Sequence, residues 1–249
     1  MTIRLGFLGV ALVAAAPAFA TTSISGAVNV DAAATLGAAV DSHTDSLGAV
    51  APTAVSLNTS AKASVKDAGA TSSSFTDMSA TWASADSGAI RLSWGWNIDT
   101  IGYSGMFGVH TNQSYPANWQ YTFTASGNGT FGGTYDIAST GYAFGLNALY
   151  TNNYWTSGIL GGSIFDPAGS GAFSVTLIAG HTYTMSIANY GNLGGGGGLV
   201  VDSRADSTIE WHIDYAAAPE PASWAMMLGG FGAIGGALRS RRKAAVSFG

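Results

Sequence analysis

Between Phe75 and Tyr215 the chain alternates apolar and polar residues in short runs. Leu92, Trp94, Trp96 and Ile98 fall on one face, with Ser93, Gly95, Asn97 and Asp99 on the other. Trp119, Tyr121 and Phe123 alternate with Gln120, Thr122 and Thr124. Phe173, Val175 and Leu177 run to a turn at Ala179-Gly180, after which Tyr183, Met185 and Ile187 resume the period. Ile209, Trp211, Ile213 and Tyr215 alternate with Glu210, His212 and Asp214. A period of two is that of strands with one face buried. Turn residues punctuate these runs at Asp86-Ser87-Gly88, Ser126-Gly127-Asn128-Gly129, Asp166-Pro167 and Asn189-Tyr190-Gly191. No stretch from 75 to 215 sustains a helical period.

The preceding segment differs. Residues 21–74 contain no Phe, Trp or Tyr, whereas Phe75–Tyr215 holds 23 aromatics. The Ala/Ser/Thr-rich leader, 21–74, is therefore expected to pack onto, or trail from, an aromatic-cored sandwich domain spanning 75–218, or to form part of that sandwich. Its Val55, Leu57, Ala61, Ala63 and Val65 alternate loosely, enough for part of it to pair as a strand. Gly194–Gly198 reads as a flexible loop ahead of a final pair of strands. Many short strands with glycine-rich turns predict an all-β, antiparallel sandwich of the jelly-roll kind, with a closed barrel as the alternative. No solenoid period is apparent.

Composition narrows the function. Only 9% of the 249 residues are charged, against roughly 25% in an ordinary domain. Residues 21–218 carry Lys62, Lys66, Arg91 and Arg204 against thirteen acidic residues, a net of −9. Such a body repels phosphate backbones, which argues against nucleic-acid binding. The absence of cysteine excludes disulfides, thiolate metal sites and a Cys nucleophile.

Both termini read as addresses. Residues 1–20 have the form of a secretory signal peptide: Arg4, an apolar run over Leu5–Ala16, and small residues at Ala18 and Ala20, with cleavage by signal peptidase expected before Thr21. At the other end, Pro219-Glu220-Pro221 blocks continuation of helix or strand. An uncharged run from Ala222 to Leu238 follows, containing Trp224, and stops at Arg239, Arg241, Arg242 and Lys243. As a helix this run would span about 25 Å, a marginal crossing of the inner membrane with its basic end cytoplasmic.

The stretch PEPASWAMMLGGFGAIGGALRSRRK resembles the PEP-CTERM sorting signal of Gram-negative bacteria. The resemblance covers 219–243 and is followed by a short tail, 244–249. It implies recognition by an exosortase, a membrane-embedded cysteine protease that would cut near Pro219-Glu220-Pro221. It also implies a destination in the envelope or extracellular matrix, because such proteins accompany exopolysaccharide systems.

Signals for chemistry in the body are sparse. Glu210, His212 and Asp214 project from one strand face as weak metal or proton-transfer candidates, beside the plainer reading of a solvated face. Asp41, His43 and Asp45 repeat that alternation but lack calcium-loop spacing. Gly127-Asn128-Gly129-Thr130-Phe131-Gly132 spells a dinucleotide pattern without the helix that pattern needs, and reads as a hairpin turn. No motif asks for a cofactor. Trp94, Trp96, Trp119 and Trp211 are in phase with the core, whereas Tyr154 and Trp155 lie among polar loop residues and are the candidate glycan contacts. The expected function is a non-catalytic matrix protein associated with exopolysaccharide. The alternative is a glycan hydrolase or lyase using an Asp pair that the sequence does not mark.

Overall fold

The computed structural model describes residues 21–112, 118–141, 148–151, 169–188, 191–216, 228–232 and 234. Among the described residues thirteen strands make two antiparallel sheets stacked as a sandwich. In the first sheet, β1 (Thr22–Leu36) pairs along one edge with β2 (Ala39–Val50). Along its other edge lie β6 (Met106–Thr111), on Ala32–Leu36, and β7 (Trp119–Thr124), on Thr22–Val28. These two therefore run end to end, as do the strands beyond them, β12 (Gly191–Gly196) on β6 and β11 (Thr182–Ala188) on β7. β9 (Ala148–Thr151) completes the sheet beside β11.

The second sheet runs in the order β10 (Gly169–Leu177), β8 (Gly129–Thr140), β13 (Val200–Tyr215), β5 (Ser87–Asp99), β4 (Ala70–Ser84) and β3 (Val55–Asp67). The faces follow the alternation. Leu92, Trp94, Trp96, Ile98, Ile209, Trp211 and Ile213 are buried, opposite Trp119, Tyr121, Phe123, Met185 and Ile187 from the first sheet. Aromatic rings fill the middle, with Trp211 within 6.1 Å of Trp119, Tyr121 and Phe131.

The structure sharpens three of these expectations. First, the leader is sandwich throughout: residues 22–84 form β1–β4 and supply strands to both sheets. Ser74 lies mid-strand in β4, so no boundary exists there. Small Ala, Ser and Thr side chains let the sheets approach closely, and the buried hydroxyls of Ser74 and Thr76 donate to the carbonyls of Ala33 (2.8 Å) and Asp31 (3.3 Å) across the core. Second, Gly194–Gly196 is strand, in register with Gly108, Phe107 and Met106. A sheet partner supplies the hydrogen bonds that offset glycine's entropy. Among the described residues one strand, β13, follows it where a pair was expected.

Third, the glycine-rich stretch read as a hairpin turn at Gly127–Gly132 is not one, because Ser126–Gly129 joins strands of opposite sheets, β7 to β8; the turn at Ala179-Gly180 likewise carries β10 of one sheet into β11 of the other. The two arches stack, with the Gly180 amide donating to the Ala125 carbonyl (2.7 Å) and the Ala179 amide to Asn128 Oδ1 (2.9 Å). Local turn composition is the same for an arch and a hairpin; only the sheet partner separates them.

Candidate functional site

The polar outer face of the second sheet gathers every basic side chain of the body. Lys62 and Lys66 on β3, Arg91 on β5 and Arg204 on β13 all point outward, opposite the buried phase of their strands. A shallow groove of about 540 Å³ crosses this face, lined by Asp45, Asn58, Ser60, Asp77, Arg91 and Asp206 among others. In register, Ser60, Asp77, Ser93 and Asp206 form one row across four strands. Ser60 donates to Asp77 (2.7 Å), and Arg204 grips Asp206 with two bonds of 2.8 and 2.9 Å. That fork holds the Asp206 carboxyl below the usual carboxylate range. Among the described residues the lining contains hydroxyls, a carboxamide and charges, but no aromatic ring.

The groove's end at Asp45 belongs to a second device. Strand β2 overhangs the open edge of β3, and its inward-phase side chains meet that edge. Asp41 accepts from the Ser64 amide (2.8 Å) and Asp45 from the Ser60 amide (3.1 Å). His43 lies between them, its Nε2 3.0 Å from Asp41. The Ser64 amide, ahead of the His43 charge, holds the Asp41 carboxyl below its ordinary value. The Asp41, His43, Asp45 alternation is thus an edge clasp: the carboxylates satisfy donors that an edge strand would otherwise offer to another chain.

Glu210, His212 and Asp214 project together from the exposed face of β13, with His212 3.1 Å from Asp214. Their register neighbours are small or hydroxylic: Ala89 and Thr134 beside Glu210, Ser87 and Gly132 beside His212, Thr130 beside Asp214. Among the described residues no group of three or more His, Asp or Glu side chains is placed to hold a metal ion. Tyr154 and Trp155 lie outside the described residues.

Sequence reasoning passed over Asp31, a carboxylate 2% exposed on β1, with His110 Nε2 3.6 Å away and the side chain of Asn112 accepting from its amide. The available signal was an acid set between Val30 and the apolar run Ala32 to Ala34. It also passed over a polar knot where β1 begins. There Tyr121 donates to the Ala85 carbonyl (2.7 Å) and shares a 2.7 Å bond with Ser23. Burial pushes the Tyr121 phenol up to about 12, the Ser23 bond opposing and the Asp86 charge adding to it.

Beyond β13, residues 228–232 and 234 are helical, with Leu228, Phe231 and Ile234 exposed at a spacing of three. Pro219, Glu220, Pro221, Trp224 and the basic cluster from Arg239 to Lys243 lie outside the described residues. Among the described residues no helix is long and apolar enough to cross a membrane. A family model, the PEP-CTERM protein-sorting motif, matches residues 217–243.

The chain carries a PEP-CTERM sorting motif. No curated protein and no solved structure matches the chain. The PEP-CTERM motif makes this an exported substrate of exosortase, held by a C-terminal membrane anchor before sorting. Its match takes in the proline pair, the tryptophan, the apolar run and the basic stop together, beginning two residues after β13 ends.

Proposed function

We propose that the exported body is a non-catalytic protein of the outer envelope or extracellular matrix that associates with exopolysaccharide. The observation that carries this reading is the sorting motif at 217–243, which directs the sandwich outward. The polar groove supports it, since Asn58, Ser60 and Arg91 offer hydrogen bonds to sugar hydroxyls and uronate groups. Tyr154 and Trp155 are the stacking contacts this reading assigns. Signal peptidase is the other processing enzyme it requires.

Hydrolysis of a glycosidic bond needs one carboxyl kept protonated beside a second that is ionised. The groove holds Asp77 and Asp206 in one row with Ser93 between them. Asp206 is shifted the wrong way for an acid, and Asp77 is occupied by Ser60. That disfavours the enzyme reading.

The test is co-sedimentation of the exported protein with the producing cell's exopolysaccharide, with reducing ends assayed in parallel. Saturable binding without release, weakened several-fold by Trp155→Ala or Arg91→Ala, is the expected result. New reducing ends would replace this reading with an enzymatic one.

A further inference from the structure

The first residue that the described sandwich holds is the one that follows the small-residue pair Ala18 and Ala20. Thr21 is 7% exposed. Its main-chain nitrogen lies 3.2 Å from Asp86 Oδ1, and its hydroxyl shares a 2.6 Å bond with the Tyr215 phenol. Asp86 is itself anchored in the turn between β4 and β5. Its amide donates to Ser84 Oγ (3.1 Å), and its carbonyl accepts from the Ile213 amide (2.7 Å). Among the described residues no Lys, Arg or His side chain forms an ion pair with Asp86. The start of β1 in one sheet, and the β4–β5 turn and the end of β13 in the other, thus meet at one residue, the turn at its nitrogen and the strand at its hydroxyl.

We propose that signal peptidase cuts the Ala20–Thr21 bond and that the α-ammonium so formed pairs with Asp86, locking the mature N-terminus into the sandwich. Hydrolysis breaks the bond between the Ala20 carbonyl carbon and the Thr21 nitrogen. The oxygen of water stays on Ala20 as carboxylate, and its two hydrogens join the one already on nitrogen to give Thr21 –NH₃⁺. An amide donor facing Asp86 becomes a cation facing it, and a neutral hydrogen bond becomes a charge-assisted one. Because a folded clasp buries Thr21, the cut precedes closure of this end. Processing then strengthens a contact that the precursor makes only weakly.

The test compares Asp86→Asn in two backgrounds, each the full exported chain in the same detergent: the processed protein, and a precursor kept uncleaved by Ala20→Tyr. Mass spectrometry of the processed N-terminus is expected to begin at Thr21. Asp86→Asn is expected to lower the melting midpoint of the processed protein by about 2–4 °C more than that of the precursor. Equal losses in both backgrounds, or a mature chain beginning elsewhere, overturn the proposal. Should the processed variant fail to fold, Nα-acetylation of processed wild-type protein reads the same pair with Asp86 intact. A comparable drop supports the pair, and an unchanged midpoint overturns it.

Discussion

At the scale of single residues, glycine and tryptophan are two halves of one packing scheme. A Cβ on Gly26 would lie 2.6 Å from the Trp82 ring, one on Gly88 2.6 Å from Trp211, and one on Gly191 2.5 Å from Trp94. Each indole fits because the residue against it has no side chain. Gly191→Ala is therefore expected to cost about 1–3 kcal/mol through overpacking, read by chemical denaturation. Removing the ring is expected to cost more. Trp211→Ala should lose about 3–5 kcal/mol, since the indole touches three other aromatic rings at the centre of the core. Four core tryptophans were legible because each sits among apolar neighbours at a period of two. Trp82 was not: its strand places Ser72, Ser74 and Thr76 inward and Phe75 outward, so the polarity rule inverts along β4. Those hydroxyls are tolerated inside because they bond carbonyls of the facing sheet, a partner that no local pattern reveals.

Among the elements, β2 has the most distinctive role. It is bonded through its backbone to β1 and through its carboxylates to β3, so it seals one open side of the sandwich. Asp41→Ala is expected to speed hydrogen exchange at the Ser64 amide while leaving amides in β13 unchanged, as read by exchange with mass spectrometry. The folded-state value of Asp41 is depressed, so its contribution is present above the ordinary value of 3.8 and is lost as pH falls through the lower folded value. The difference between wild type and Asp41→Ala should accordingly vanish below that range. The alternation of Asp41, His43 and Asp45 was visible in the sequence, but its purpose was not. Backbone amides are identical at every residue, so a strand edge that needs capping leaves no mark of its own. For the same reason the arch at 126–129 reads as a hairpin in the sequence, and Gly194–Gly196 as part of a loop.

For the whole molecule, fold and destination come from different parts of the chain. The sandwich spans 22–215, and the sorting motif follows it at 217–243. The motif was legible because a protease and a membrane read it as linear sequence, without a fold to assemble it. The groove was not legible, because its residues come from β2, β3, β4, β5 and β13 and meet only through sheet register.

Mass spectrometry of the mature protein's C-terminus, in cells with and without exosortase, bears most directly on the claim that this sandwich is an exosortase-sorted export. Loss of Arg239–Lys243 with a new terminus near Pro219-Glu220-Pro221, only where exosortase is present, is the predicted result. A mature surface protein that keeps the basic cluster in both strains would contradict the account.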